Sequence, residues 1–258
     1  MAKKVLITGA SSGIGRDMAK IFDSYGCELI LVARREDRLR ALAECLNGTP
    51  RIIPMDIGTA QGAQVLYELT KNENIDILIN NAGFGVFGDF TQTSTARETE
   101  MIRLNVEAMH ILFKLFLKNF KEKNSGYILN TASAAAFAPG PYMAAYYASK
   151  AYVLRLTQAV AYELEEADSE VSVSALCPGP VATEFNKVAG VHFSVSPLSS
   201  KYVAQYAIQQ MFRKKTVIIP GTSMKLAALA SKIVPSYLAC KVCAEVQKHK
   251  GNTRKNTA

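Results

Sequence analysis

The residues best suited to chemistry in this sequence are a tyrosine and a lysine four positions apart, Tyr146 and Lys150, with Ser133 upstream. Residues at i and i+4 share one face of a helix, so the two side chains can meet. A nearby ammonium favours the phenolate and is expected to lower the tyrosine pKa from its usual value of about 10. Such a tyrosine can exchange a proton with the oxygen of a carbonyl or alcohol, while Ser133 stabilises charge on that oxygen.

The tyrosine that follows, Tyr147, lacks a lysine four residues downstream and lies about 100° further round the helix. We interpret it as structural.

A glycine-rich turn near the start of the chain could hold the second reactant. Gly9, Gly13 and Gly15 stand where a strand pattern passes into a helix pattern. Glycine permits close approach of a pyrophosphate, and the helix N-terminus supplies amide donors. The spacing GxxxGxG differs from the commonest dinucleotide fingerprint, and alone it could be an ordinary turn. Its position favours a nucleotide site, and with the tyrosine it predicts hydride transfer between a nicotinamide and a carbonyl or alcohol.

Two arginines, Arg34 and Arg35, follow the second predicted strand. At this place a ribose 2′-phosphate usually meets a guanidinium, whereas a free 2′-hydroxyl meets an acid. We interpret the acids Glu36 and Asp37 as first-turn residues that complement the dipole of the next helix. The sequence therefore favours NADP(H) over NAD(H), and the alternative is a solvated charge cluster.

Further cofactor contacts are expected where strands end, because the carboxyl ends of parallel strands share the edge at which ligands bind. Asp56 could accept a hydrogen bond from adenine, and Asn81 and Gly83 could border the adenosine. The predicted cofactor contacts are Gly9, Ser11, Ser12, Gly13, Ile14, Gly15, Arg34, Arg35, Asp56, Ile57, Asn81, Ala82, Gly83, Tyr146, Lys150, Pro178, Gly179, Val181 and Thr183.

Apolar runs of strand length alternate with longer amphipathic stretches along the chain. Runs rich in Ile, Leu and Val without alternation indicate strands buried on both faces, hence an α/β fold with a doubly wound parallel sheet in a single domain. Strands are predicted at Val5–Thr8, Glu28–Ala33, Arg51–Asp56, Asp76–Asn80, Gly126–Thr131, Val171–Cys177 and Thr216–Pro220. Helices are predicted at, among others, Gly13–Ser24, Asp37–Leu46 and Ala63–Lys71.

Composition limits the compartment and the cofactors. The 258 residues contain five scattered cysteines, an odd number that favours a reduced, cytoplasmic compartment. No signal peptide and no spanning helix are expected, because a strand pattern begins almost at once and apolar runs are short. The CxxC of Cys240 and Cys243 lacks a second pair or nearby histidine, so no metal site is predicted.

The net charge of +8 belongs to the C-terminal segment. From Arg213 onward ten basic residues face one acid, Glu245, which leaves +9 there and about −1 elsewhere. The stretch Lys225–Lys250 predicts two short basic amphipathic helices. We favour a lid or dimer element over peripheral attachment to anionic lipid. No aromatic-interleaved basic surface accompanies the charge, so nucleic acid is not an expected partner.

A second subunit is expected at Glu107–Phe120, which is apolar around most of a helix. The prediction is a homodimer or homotetramer, and the alternative is a helix buried within one chain.

The motifs together resemble the series of the classical short-chain dehydrogenase/reductases across about the first 220 residues. That series is Thr8-Gly9-x-x-x-Gly13-x-Gly15, Asn80-Asn81-Ala82-Gly83, Asn105, Ser133, Tyr146-x-x-x-Lys150 and Pro178-Gly179. The resemblance implies a Rossmann-type sheet of seven strands, a nicotinamide cofactor and a catalytic group of Asn105, Ser133, Tyr146 and Lys150. Asn105 would hold a water or carbonyl that links Lys150 to solvent, and Thr183 would contact the nicotinamide amide.

Apolar and aromatic segments at the same edge predict an apolar ketone or secondary alcohol as substrate, such as a steroid, bile acid, acyl chain or xenobiotic carbonyl. The expected substrate contacts are Ser133, Phe84, Phe87, Tyr142, Phe185 and Phe193. The expected organisation is a catalytic domain at 1–222 with a substrate loop at 179–200, a basic helical extension at 223–250 and a disordered tail at 251–258. The alternative function is a non-catalytic dinucleotide-sensing or membrane-peripheral binding protein on the same fold.

Overall fold

The structure, a computed structural model, describes residues 2–185, 189 and 196–251. The strands are β1 Lys4–Thr8, β2 Glu28–Ala33, β3 Arg51–Pro54, β4 Ile77–Asn80, β5 Tyr127–Thr131, β6 Ser172–Leu176, β7 Val181–Ala182, β8 Leu198–Ser199 and β9 Val217–Ile218. Seven of them form a parallel sheet in the order β3-β2-β1-β4-β5-β6-β9, and β7 pairs with β8 in a second, two-stranded sheet. The predicted fold class, a doubly wound parallel sheet of Rossmann type in a single domain, is confirmed.

Helices cover both faces of this sheet. The helices are α1 Gly13–Ser24, α2 Glu36–Ala43, α3 Gly62–Thr70, α4 Thr95–Ile102, α5 Met109–Glu122, α6 Ala144–Glu166, α7 Ser200–Phe212, α8 Thr222–Ala230 and α9 Ser236–Gly251. A π-helical segment at Arg103–Ala108 joins α4 to α5, and a 3-10 helix spans Ala134–Phe137.

Consecutive strand residues are buried because the sheet has a core on each side. In β1, Val5 and Ile7 pack with Phe22 of α1 on one face, while Leu6 packs with Phe116 of α5 on the other. This arrangement explains why the strands carry aliphatic side chains without alternation.

The chain reverses direction within the sheet between β1 and β4. From β1 it moves outward to β3, then returns to place β4 on the other side of β1. Such a reversal opens a crevice at the carboxyl ends of the two strands. The glycine-rich turn follows β1 and the Asn80–Gly83 segment follows β4, so both predicted cofactor motifs border this crevice.

Several predicted element ends differ from those observed. The third and seventh predicted strands are shorter, at Arg51–Pro54 and Val217–Ile218, and the second helix ends at Ala43. Helices and strands fray at their ends because the terminal residues lack backbone hydrogen-bond partners on one side. The pattern of apolar residues does not show where this pairing stops.

The apolar circumference of α5 is largely covered inside the chain, by contacts of Met109, Leu112, Phe113, Phe116 and Phe120 with the core. Ile111 and Leu117 are only partly buried. The expected second subunit at this helix therefore remains a prediction. Among the described residues no helix is both long and apolar enough to cross a membrane.

Candidate active site

Tyr146 and Lys150 lie in the first two turns of α6, which starts at the carboxyl edge of the sheet. Both are buried, with 8% and 5% of their surface exposed. The side chain of Ser133, which follows β5, lies close enough to the Tyr146 hydroxyl to affect its pKa. The Nζ atom of Lys150 donates a hydrogen bond of 2.8 Å to the carbonyl oxygen of Thr131. The structure thus brings the predicted phenol, hydroxyl and amine together.

Burial changes the acidity of this pair. Because burial removes water from both charged forms, it raises the pKa of Tyr146 to about 12 and lowers the pKa of Lys150 to about 8. Hydrogen bonding by the nearby Ser133 side chain opposes the rise of the Tyr146 pKa. The expectation that the ammonium lowers the tyrosine pKa is wrong in this structure, since Nζ lies 6.0 Å from the ring centroid and bonds Thr131 instead. At neutral pH, Tyr146 is a protonated phenol and can serve as a proton donor.

Asn105 sits in the π-helical segment and is 1% exposed. Its Oδ1 accepts from the Phe84 N–H at 3.1 Å, and its Nδ2 donates to the Phe84 carbonyl at 2.9 Å and to Ser149 Oγ at 3.2 Å. A β-carbon on Gly83 would come within 2.7 Å of Asn105 Oδ1 and 3.3 Å of Lys150 Nζ. Asn105 and Lys150 therefore flank Gly83, and segments of this helical type often occur at functional sites.

The glycine-rich turn packs directly against the segment after β4. Gly9 has φ of +66°, and a β-carbon there would lie 2.9 Å from the Ala82 Cα atom. A β-carbon on Gly15 would lie 2.5 Å from Nδ2 of Asn81. That amide donates to the carbonyls of Thr8 at 3.2 Å and Gly9 at 3.3 Å. Asn81 and Ala82 thus fix the turn rather than lying apart from it, and side chains at these glycines would displace it.

The N-terminus of α1 is free to bind an anion. Its N-cap, Ser12, makes no side-chain capping bond, and no acidic side chain occupies the first turn. The first-turn N–H groups and the positive end of the dipole are therefore available to phosphate oxygens. A cavity of about 490 Å³ opens here. Its lining includes Ser11, Ser12, Gly13, Arg16, Arg38 and Thr183. These residues fit a dinucleotide.

Arg35 lies over the same turn. Its Nη2 donates to the hydroxyls of Ser11 and Ser12 at 3.0 Å each, and its Nη1 pairs with Glu184 at 2.8 Å. Arg38, which the sequence analysis did not select, pairs with the other oxygen of Glu184 at 2.5 Å. Hydrogen bonds from Arg38 and Arg35 lower the Glu184 pKa to about 2. Arg35, Arg38 and the hydroxyls of Ser11 and Ser12 thus form a cradle whose two guanidiniums hold the Glu184 carboxylate. These groups also suit a phosphate.

Arg34 points to a different cluster. Its Nη1 lies 3.2 Å from Glu100 and 3.5 Å from Asp56, whose Oδ1 also accepts from the Gly58 N–H. The two arginines predicted together are therefore separated by the structure. Ile57, another predicted contact, is buried in the core.

The turn after β6 approaches the 3-10 helix and α8. The Pro178 carbonyl accepts from the Ala134 N–H at 2.8 Å, and a β-carbon on Gly179 would lie 2.7 Å from the Met224 side chain. Thr183 faces the glycine turn, with its methyl group 3.0 Å from where a β-carbon on Gly13 would stand. Val181 is buried in the core, and Ile14 packs partly against the same cluster.

Tyr146 belongs to an apolar cluster. The Phe185 ring lies 5.4 Å from the Tyr146 ring, and Phe87 lies 6.3 Å from Tyr142. Tyr142 has φ of +65°, which is strained for a side-chain-bearing residue and is typical of functional loops. Buried members of the cluster include Phe84, Met101, Ala135 and Met143. The remaining predicted substrate contact, Phe193, lies outside the described residues.

Two residues of the C-terminal helices reach this region without any local sequence signal. The Nε2 atom of Gln247 donates to the Tyr147 hydroxyl at 2.8 Å, and Met224 covers Gly179. Tyr147 also packs partly against the apolar cluster around Tyr146. Within the described ranges, no group of three or more His, Cys, Asp or Glu side chains could hold a metal ion.

Comparison with known proteins agrees with this geometry. Residues 3–191 match the family model described as short chain dehydrogenase. A 7beta-hydroxysteroid dehydrogenase of Clostridium sardiniense is 29% identical over 69% of this chain and 69% of its own length. A Sphingobium yanoikuyae short-chain dehydrogenase solved with NADPH is 31% identical, with a TM-score of 0.80 over 89% of this chain and 93% of that one. The bulky-bulky ketone specific alcohol dehydrogenase of Comamonas testosteroni is 30% identical, with a TM-score of 0.77 over 89% and 91%. This chain belongs to the short-chain dehydrogenase/reductase family.

Proposed function

We propose that this protein is an NADP(H)-dependent oxidoreductase that interconverts an apolar ketone and a secondary alcohol, with Tyr146 as the general acid and base. The observation that carries the proposal is the buried Tyr146 in an apolar cluster, with Ser133 close to its hydroxyl and the buried Lys150 one helical turn away. A rival function, dinucleotide binding without catalysis, would not need this buried and costly arrangement.

In ketone reduction, Tyr146 donates its phenolic proton to the carbonyl oxygen. Its raised pKa keeps that proton in place at neutral pH. Ser133 Oγ accepts from the Ala135 N–H at 3.1 Å, which fixes the hydroxyl in the site. When substrate is bound, the Ser133 proton turns to the substrate oxygen and stabilises charge there. When bound, the nicotinamide supplies the hydride to carbon in reduction and accepts it in oxidation.

Lys150 lies one helical turn from Tyr146, with its amine held by the Thr131 carbonyl. Its pKa of about 8 lets this amine exchange a proton with the site near neutral pH, so it can help to restore the proton that Tyr146 gives up. Asn105 flanks Gly83 together with Lys150. It holds in place the side of the site from which a proton would return to Tyr146. Oxidation of the alcohol uses the same groups in reverse, with the Tyr146 phenolate as base.

The cradle of Arg35, Arg38, Ser11 and Ser12 supports NADP(H) over NAD(H), since paired guanidinium donors suit a 2′-phosphate. The Sphingobium relative that was solved with NADPH supports the same choice. The relatives named for bulky ketones and for 7beta-hydroxysteroids support a large apolar substrate, as do Phe84, Phe87 and Phe185.

A panel of steroid, bile-acid, acyl and aromatic ketones, followed by NADPH absorbance, tests the proposal. We expect turnover of a bulky apolar ketone and weak activity with NADH. Cofactor binding without turnover of any panel member would favour the non-catalytic alternative. Size-exclusion chromatography with light scattering tests the proposed homodimer or homotetramer.

A further inference from the structure

The two C-terminal helices are packed with their apolar sides outward. The residues that face the protein body include Met224 and Ala228 on α8 and Cys240 and Gln247 on α9. Their large aliphatic side chains point to solvent instead. The exposed fractions are 68% for Leu226, 60% for Leu229, 83% for Ile233, 50% for Leu238, 58% for Val242 and 47% for Val246. This is the reverse of an ordinary surface helix, which buries its apolar stripe.

Specific contacts on the inner side set this orientation. Met224 covers Gly179, and Gln247, with 1% of its surface exposed, donates to the Tyr147 hydroxyl. Rotating either helix to bury its aliphatic side chains would break these contacts. The outward apolar face is therefore a consequence of how the helices dock.

The outward side chains form a concentrated patch. Of the fifteen large hydrophobic side chains exposed among the described residues, seven fall within 226–246. On α8, Leu226 and Leu229 are three residues apart and share one face, and Ile233 lies in the turn that follows the helix. On α9, Leu238, Val242 and Val246 follow at intervals of four. Contiguous apolar surfaces of this kind mark interaction sites.

The charges beside the patch indicate which partner binds it. Lys225, Lys232 and Lys241 are exposed, and Lys241 Nζ lies 4.7 Å from the centroid of the Tyr237 ring. Glu245 is the single acid after Arg213, where the net charge is +9. A second copy docked face to face would bring two such basic surfaces together. An anionic bilayer would attract the lysines, whose stems can reach headgroups while the aliphatic residues insert.

We propose that α8 and α9 dock this protein onto an anionic lipid surface through Leu226, Leu229, Ile233, Leu238, Val242 and Val246, with the lysines against the headgroups. The docked helices also contact Gly179 and Tyr147, so an apolar substrate dissolved in the bilayer would lie close to the cleft. This last consequence rests on the proposed function, whereas lipid docking itself does not.

Vesicle co-sedimentation of the full chain tests the proposal, using phosphatidylcholine vesicles with and without phosphatidylglycerol. We expect pelleting with the anionic vesicles only, and its loss at high salt. The triple variant L226S/L229S/I233S should bind at least about tenfold more weakly, because three aliphatic side chains no longer enter the bilayer. The matched control V65S/L69S removes two side chains of α3 that are 45% and 49% exposed, and it should pellet like wild type.

Each other outcome overturns the proposal. Absence of pelleting with anionic vesicles excludes lipid docking, and equal pelleting of the triple variant and wild type excludes this face. A wild-type dimer that becomes a monomer in the triple variant would assign the patch to a second copy. Circular dichroism of every variant verifies folding. Pelleting does not depend on turnover, so a failed ketone assay leaves this test intact.

Discussion

Gln247, near the end of the last described helix, donates a hydrogen bond of 2.8 Å to the hydroxyl of Tyr147, the neighbour of the proposed catalytic tyrosine. The glutamine is 1% exposed, and its Oε1 atom has no hydrogen-bond partner among the described residues. A buried, half-satisfied amide is costly unless another group completes it. The pair therefore joins the C-terminal helices to α6, the helix that carries Tyr146.

We expect Gln247→Ala to raise the KM for the ketone about tenfold, with a smaller change in kcat. The substitution removes the hydrogen bond that holds Tyr147 beside the cleft, but it leaves Tyr146 unchanged. One lost hydrogen bond of about 1 kcal/mol, with its local packing, accounts for that size. Steady-state kinetics with saturating NADPH measures both constants. The adjacent exposed Val246→Ala is the control, and an unchanged KM in Gln247→Ala would contradict the link.

Tyr146→Phe should lower kcat by at least about two orders of magnitude while cofactor binding persists, because only the proton donor is removed. Tyr147→Phe is a matched control, since it deletes the hydroxyl of the adjacent tyrosine and should leave kcat within a few fold. Single-turnover kinetics and NADPH fluorescence titration separate chemistry from binding. Near-wild-type turnover in Tyr146→Phe would remove the proposed mechanism.

The sequence could predict those features that depend on short segments. The sheet strands, the turn at Gly9–Gly15 and the pair Tyr146 and Lys150 follow from local spacing, and the structure brings them to one edge. Contacts between distant segments produce no local pattern in the sequence, so they could not be predicted. Arg35 meets Glu184 across 149 positions, and Tyr147 meets Gln247 across 100. The predicted direction of the Tyr146 pKa shift is wrong, because the i,i+4 spacing shows only the nearby lysine. The burial that raises the pKa depends on tertiary packing.

The Glu184 carboxylate should compete with a cofactor phosphate for Arg35 and Arg38. We therefore expect Glu184→Gln to lower the Kd of NADPH several-fold, with little effect on NADH, because one negative charge leaves the cradle. Isothermal titration calorimetry with both cofactors measures this difference.

Arg35→Ala should have the opposite effect. It removes charge-assisted hydrogen bonds of roughly 1.5–3 kcal/mol, so NADPH binding should weaken by about 10- to 100-fold. Arg34→Ala is the control, because Arg34 pairs with Asp56 and Glu100 instead. If Arg34→Ala and Arg35→Ala weaken NADPH binding equally, the cradle is assigned to the wrong arginine.

The buried Lys150 should make stability depend on pH. Its pKa is about 8 in the folded chain and 10.5 in the unfolded chain, so between these pH values the unfolded chain holds a proton that the folded chain has lost. The destabilisation by the buried charge is complete below pH 8 and disappears as pH rises towards 10.5. From pH 7 to 9.5, the free energy of unfolding of wild type should therefore rise by about 1–2 kcal/mol relative to Lys150→Met.

Urea denaturation of both proteins at several pH values measures that difference. Tyr146→Phe should follow wild type over the same range, because the Tyr146 pKa is raised to about 12 and its ionisation affects stability only at higher pH. A constant gap between wild type and Lys150→Met would mean that Lys150 keeps its proton when buried. The amine would then be a fixed cation in the site, and proton resupply through it at neutral pH would have to be abandoned.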